Sequence, residues 1–135
     1  MRRAIKSATK PQQAYQDAAR ALGCVVCRFR IASGMQDARD GQCGDTHIHH
    51  RNIGDLHGQK QVGQHAIVAL GGWHHDGILF WGETAESMRE RFGPSFGANA
   101  RDFRVWTDDV LPNLPGRGTE RWQAYQDELL ERNDE

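Results

Sequence analysis

The pattern of apolar and polar positions predicts a small mixed fold. Residues 66–70, AIVAL, form a continuous apolar run of strand length, the pattern of a strand buried on both faces. Residues 45–49 alternate weakly between polar and apolar, so a second strand precedes the run across a polar loop. Gly71-Gly72 ends the later strand, and a short helix carries Trp73, His74 and His75. Upstream, residues 11–22 place Ala14, Tyr15, Ala18, Ala21 and Leu22 at helical spacing, with Gly23 as the stop. Residues 31–44 are rich in Ser, Gly, Asp and Gln and read as a loop or irregular hairpin. Thr84 is a helix N-cap for a segment reaching Arg91, closed by Gly93 and Pro94. Phe92, Phe96 and Phe103 are candidate core residues. After the Pro- and Gly-rich connector 111–119, Thr119 caps a last helix whose apolar face is Trp122, Tyr125, Leu129 and Leu130.

Composition narrows the class. At 135 residues the chain is of single-domain size, with a core of about 20–97 and a helical extension of about 98–135. Nothing approaches the run of about 18–20 apolar residues that a membrane span needs, and MRRAIKSATKPQQ has no apolar stretch behind its basic residues. The expectation is a cytoplasmic protein with no membrane partner. The net charge of −1 hides a separation: residues 1–119 sum to +3 and residues 120–135 to −4. Most of the chain is therefore mildly basic, which permits a nucleic-acid partner without demanding one.

Cysteine and histidine placement changes the picture more. The three cysteines are Cys24 and Cys27 in CVVC and a lone Cys43, so a closed disulfide framework would leave a spare thiol. Four of the seven histidines form two adjacent pairs, His49-His50 and His74-His75. Together with CxxC, within a span of about fifty residues, these pairs point to metal binding. Neighbouring side chains diverge on a strand and sit about 100° apart on a helix, so each pair can serve two tasks. For His49 and His50 the tasks are one ligand and one base; for His74 and His75 they are ligands to two different metal sites. Phosphodiester hydrolysis fits this set, because a neutral imidazole can take a proton from water while a divalent cation neutralises charge building on phosphate. Arg28, Arg30 and Arg51 lie close in sequence to these sites as candidate phosphate contacts.

CVVC, IHHRN, HAIVALGGWHHDG and ERFGPSF, over about residues 20–97, resemble the phage recombination-enhancement (Ref-type) branch of the HNH, or ββα-metal, nucleases. The pattern resembled is CxxC, then IHH, then PLCxxHHxG, then a helix ending in an aromatic-Gly pair. The resemblance implies an α+β domain with a ββα-metal core, a CxxC zinc knuckle and flanking helices. It also implies a phage or prophage endonuclease linked to recombination, acting on DNA, with a recombinase filament as a conceivable partner. It makes His49 and His75 ligands of a catalytic Mg, Mn or Zn ion, His50 the general base, and His65 the polar residue at the centre of the motif. Cys24, Cys27 and His74 become ligands of a structural zinc. The family cysteine of LCxxHH falls on Gly71 here, so either Cys43 supplies the fourth ligand from the neighbouring strand, or the site has decayed, or CVVC holds no metal. Two other function classes remain open: a zinc-stabilised nucleic-acid-binding or adaptor module with a degenerate site, and a thioredoxin-like redox motif. The redox reading requires a helix N-terminus behind the first cysteine, and the sequence places a helix before the pair instead.

Overall fold

A computed structural model describes residues 7–52, 55 and 60–133. The order is α1 (Lys10–Leu22), α2 (Val25–Ala32), a 3-10 turn (Ala38–Asp40), β1 (Thr46–His50), β2 (Ile67–Gly71), α3 (Gly72–Asp76), α4 (Ala85–Phe92), α5 (Ala100–Val110) and α6 (Thr119–Asn133). It is a small α+β arrangement in which an antiparallel strand pair runs directly into a short helix. β1 and β2 pair from Thr46 opposite Gly71 to His50 opposite Ile67. No described helix is long and apolar enough to cross a membrane.

Local chemistry explains the boundaries. Thr9 and Gln12 form a reciprocal capping box at the start of α1, and Thr84 and Ser87 do the same for α4. Gly23 leaves α1 at a φ of +79°, a conformation that favours glycine, and turns the chain straight into α2. α2 is a helix where the sequence shows only a cysteine pair; its N-cap is Cys24. A helix N-terminus therefore does stand behind the first cysteine, contrary to the sequence expectation. The buried side of α1 also differs: Gln16, Ala19 and Leu22 face inward, with Tyr15 packed beside them, whereas Ala14, Ala18 and Ala21 are exposed. Alanine is too small to fix a helix face, and the Gln16 amide finds partners in the Gln64 carbonyl and side chain at 2.9 and 3.0 Å.

All five residues of β2 are buried, as its continuous apolar run requires, because α1, α2, α3 and α6 pack around it. Around the strand gather Leu22, Val25, Val26, Trp73, Met88, Phe92, Phe103 and Trp122. The C-terminal helix packs through the expected face: Trp122 and Leu129 are buried, and Tyr125 and Leu130 lie against the same core. Trp122 stacks on Trp106 at 5.6 Å and meets Phe29 edge-on. The start of α6 differs in one respect. Thr119 is its first residue, and the capping acceptor is the carboxylate of Asp55, which takes the Thr119 amide at 2.7 Å and also its hydroxyl.

α6 also closes the free edge of β2. Gln126, fully buried, accepts from the Ala69 amide at 2.8 Å and donates to the Ile67 carbonyl at 3.1 Å, as a neighbouring strand would. Gln126→Met keeps the volume and leaves both backbone groups unpaired in the core. The expected loss is about 3 kcal/mol in urea denaturation of zinc-saturated protein.

Candidate functional site

The two helices that flank the sheet bring four soft and borderline donors together. Cys24 caps α2 and Cys27 follows one turn later, so both sulfurs emerge on one side of the helix. Cys43 arrives from the loop before β1, and α3 contributes His74. The His74 Nδ1 lies 2.9 Å from Cys43 Sγ, 3.3 Å from Cys24 Sγ and 3.8 Å from Cys27 Sγ, while Cys43 and Cys24 sulfurs are 3.8 Å apart. Tetrahedral zinc with sulfur at about 2.3 Å and nitrogen at about 2.0 Å spaces its ligands by roughly 3.5–3.8 Å. The two 3.8 Å separations meet that spacing and the two shorter contacts to His74 have to open slightly, so the four donors are grouped as a structural zinc site requires. All four residues are fully buried. His74 Nε2 faces the Phe92 carbonyl at 2.8 Å; donating there leaves the Nδ1 lone pair for the sulfurs. Burial raises the Cys24 thiol, but hydrogen bonds from Cys27 and Cys43, with His74 beside them, outweigh it and hold Cys24 well below its usual range. Cys27 and Cys43 are pushed up, first by their hydrogen bonds to Cys24. One ionised sulfur that accepts from two thiols is a sensible metal-free arrangement of three buried ligands.

Cys43 thus stands as the fourth donor beside Cys24, Cys27 and His74, and it does so from the loop before β1 and not from a strand. A Cβ on Gly71 would come within 2.5 Å of Cys43 Sγ, so the relocated sulfur fills the space that a side chain at position 71 would enter. Burial and the His74 contact also weigh against the redox reading, even though Cys24 does stand at a helix N-terminus, because no sulfur is open to a partner thiol.

The opposite side of α3 holds a different donor set. β1 alternates, so His47 and His49 share a face, and α3 presents His75 and Asp76 to it. His47 Nδ1 lies 2.9 Å from His75 Nδ1, and the Asp76 carboxylate is 3.4 and 3.2 Å from these two nitrogens. These edges suit three ligands on one face of a cation about 2.1 Å from each. His47, not His49, closes this triad with His75, a point the sequence missed although the two-residue period of THIHH puts both histidines on one face.

His49 is buried with its ring 5.2 Å from that of His75 and 4.9 Å from that of Phe96, and its Nε2 has no hydrogen-bond partner among the described residues. Burial, assisted by His75, His50 and Arg51, pushes its pKa down to about 4, so the ring is neutral at physiological pH. Burial lowers His75 as well, which keeps it available as a neutral ligand. His50 is half-buried, with Nε2 3.2 Å from Gln64 Oε1. Donation of the Nε2 proton to that oxygen leaves Nδ1 as the basic nitrogen.

A cavity of about 720 Å³ is lined by His49, His50, His75, Asp76 and Arg104, among others. The two histidine pairs therefore converge, with His74 turned away to the cysteines. Other expected residues lie elsewhere. His65 is exposed and outside the cavity wall, and its neighbour Gln64 is the side chain that meets His50. Arg28 donates to the Leu22 carbonyl. Arg30 is buried, bonded to Gln36 and the Met35 carbonyl, and lies over the Trp106 ring. Arg51 donates to Gln123 and pairs with Glu120. These three arginines tie the fold together at the points described and do not line the cavity. Arg104 does, and no sequence signal singled it out. Comparison with family models, with curated proteins and with solved structures finds no match, which leaves the chemistry of the site to be read from its own geometry.

Proposed function

We propose that the chain is a metal-dependent endonuclease of the HNH type, hydrolysing phosphodiester bonds in DNA. The observation that carries this reading is the shared cavity: a ligand pair, His75 and Asp76, and a histidine with a free basic nitrogen, His50, open on one space. His47, His75 and Asp76 would hold the divalent ion, with magnesium, manganese and zinc as candidates. Bound there, the ion supplies Lewis-acid stabilisation of charge on the phosphate and the leaving oxygen.

The protein's own residues do the rest. Gln64, itself anchored by Gln16, fixes the tautomer and orientation of His50, so that Nδ1 can accept a proton from an attacking water. His49 and Phe96 pack against the ligand His75, which restricts its ring. A structural zinc, which Cys24, Cys27, Cys43 and His74 would hold, would anchor α3 and through it the neighbouring His75. A prophage origin, a cytoplasmic setting and a recombinase partner belong to this proposal through the sequence resemblance alone.

Nicking of supercoiled plasmid with added divalent ions tests the reading. His50→Ala is expected to lower the rate at least about 100-fold with zinc content and melting temperature unchanged, the usual weight of a general base. Wild-type protein that cuts with none of these ions would instead favour a zinc-stabilised nucleic-acid-binding or adaptor module.

A further inference from the structure

Resting on the hydrolase reading, we infer that Arg104 is the anion-binding residue of this cavity and that it selects a singly charged phosphodiester. Arg104 belongs to α5, outside the segment that carries the sequence resemblance. Among the described residues lining the cavity it is the only lysine or arginine. Several other arginines are held by carboxylates, Arg39 by Asp37, Arg89 by Asp102, Arg91 by Glu83 and Asp40, while Arg28 and Arg30 spend their guanidinium groups on carbonyl and amide oxygens away from the cavity. Among the described residues no carboxylate lies within ion-pair distance of Arg104; its Nη1 makes one long contact, 3.4 Å, to the Asp55 carbonyl. The Asp55 carboxylate is engaged by the Thr119 amide and hydroxyl, and Asp76 lies against His47 and His75. A guanidinium without a carboxylate, half-buried in the wall of a cavity that is also lined by two members of the candidate metal triad, His75 and Asp76, lacks the anion its planar fork is built to bind.

Charge decides which anion. The lining contains two carboxylates, Asp55 and Asp76, and one guanidinium, that of Arg104. An approaching phosphate therefore meets repulsion unless Arg104 offsets it. With one guanidinium set against two carboxylates, the wall repels the double charge of a terminal phosphate more than the single charge of an internal phosphodiester. Asn52, Gln61 and Gly97 complete a polar, uncharged stretch of the same wall, and the volume is that of a pocket for a small-molecule-sized fragment, such as a dinucleotide segment.

The test compares binding of dithymidine phosphodiester with its uncharged methylphosphonate analogue, by calorimetry on wild-type, Arg104→Ala and Arg104→Lys proteins that carry one zinc each, in the buried cysteine-histidine cluster, after brief chelation. Charge-assisted hydrogen bonds lead to an expected preference of wild type for the diester of about 10- to 100-fold. Arg104→Ala is expected to abolish that preference and Arg104→Lys to retain part of it, with metal content unchanged; Arg104→Met replaces the alanine variant if that does not fold. A variant lacking the guanidinium that keeps the full preference, or a wild type with none, overturns the inference. Equal binding of thymidine 5′-monophosphate and the diester overturns the choice of substrate charge. Binding is read without turnover, so a wild-type protein that shows the preference but never cuts contradicts the hydrolase reading and leaves the anion site standing.

Discussion

Cys43→Ala is expected to lose zinc and unfold at ambient temperature, and adding Gly71→Cys is expected to restore both. The first effect follows from the weight of the cluster. Structural zinc contributes roughly 10–16 kcal/mol of apparent binding free energy in small metal-dependent folds, against a net stability of about 5–15 kcal/mol for a domain. The cysteines and His74 join α2, the loop before β1 and α3, and they are fully buried, so losing one ligand also leaves a void among the remaining thiols. The rescue follows from geometry. Gly71 has φ −70° and ψ 168°, an extended conformation open to any residue, and its Cβ would point at the position of Cys43 Sγ. With that sulfur removed, a cysteine at 71 enters the vacated space; the nearest remaining atoms are the Gly44 carbonyl oxygen at 3.3 Å and the Cys43 carbonyl carbon at 3.4 Å, which a small shift accommodates. Zinc stoichiometry and thermal unfolding in the presence of chelator measure both halves. A single variant that keeps its zinc and its melting temperature, or a double variant no better than the single one, counts against a shared position for the two sulfurs.

His75→Ala is expected to lower phosphodiester cleavage by about 1,000-fold, equivalent to about 4 kcal/mol of transition-state stabilisation, while leaving the fold intact. His47→Ala should act in the same direction, because its Nδ1 approaches the His75 nitrogen at 2.9 Å. His65→Ala should change the rate less than about threefold, since that side chain is exposed and off the cavity wall. These three variants separate the triad seen in the structure from the set suggested by the sequence. Circular dichroism and zinc content guard against a trivial loss of structure. Equal activity of His75→Ala and wild type, with the metal present, would remove the triad from the mechanism.

How much was legible in the chain depended on whether a signal was local. α1, β2, α4 and α6 were, because caps, glycine stops and a continuous apolar run act within a few residues. α2 was not, since its two β-branched valines stand between cysteines and the side chain of its N-cap, Cys24, is turned to the cluster and makes no capping hydrogen bond. α5 falls inside the helical extension expected from about 98, but its bounds were not drawn, although Asn99 caps it by accepting from the Asp102 amide, a recoverable signal. The metal clusters divide in the same way. Cys24 with Cys27 and His74 with His75 announce themselves by spacing, and the relocated fourth ligand, Cys43, could be proposed because an adjacent thiol was otherwise idle. The meeting of His47 with His75 across 28 positions depends on the register of β1 against β2 and on the angle at which α3 leaves the sheet. Arg104 enters the cavity from a helix whose position is set by aromatic packing of Phe103 and Trp106 against Trp122, which no short pattern encodes.

One short helix with a different metal site on each side is the centre of this account, and native mass spectrometry of zinc-loaded protein tests it most directly. Two ions are expected on the wild-type chain and one on His75→Ala, with the remaining ion resistant to brief chelation because its ligands are buried. A wild type that carries one ion at saturating zinc, or a His75→Ala chain that still carries two, would contradict it.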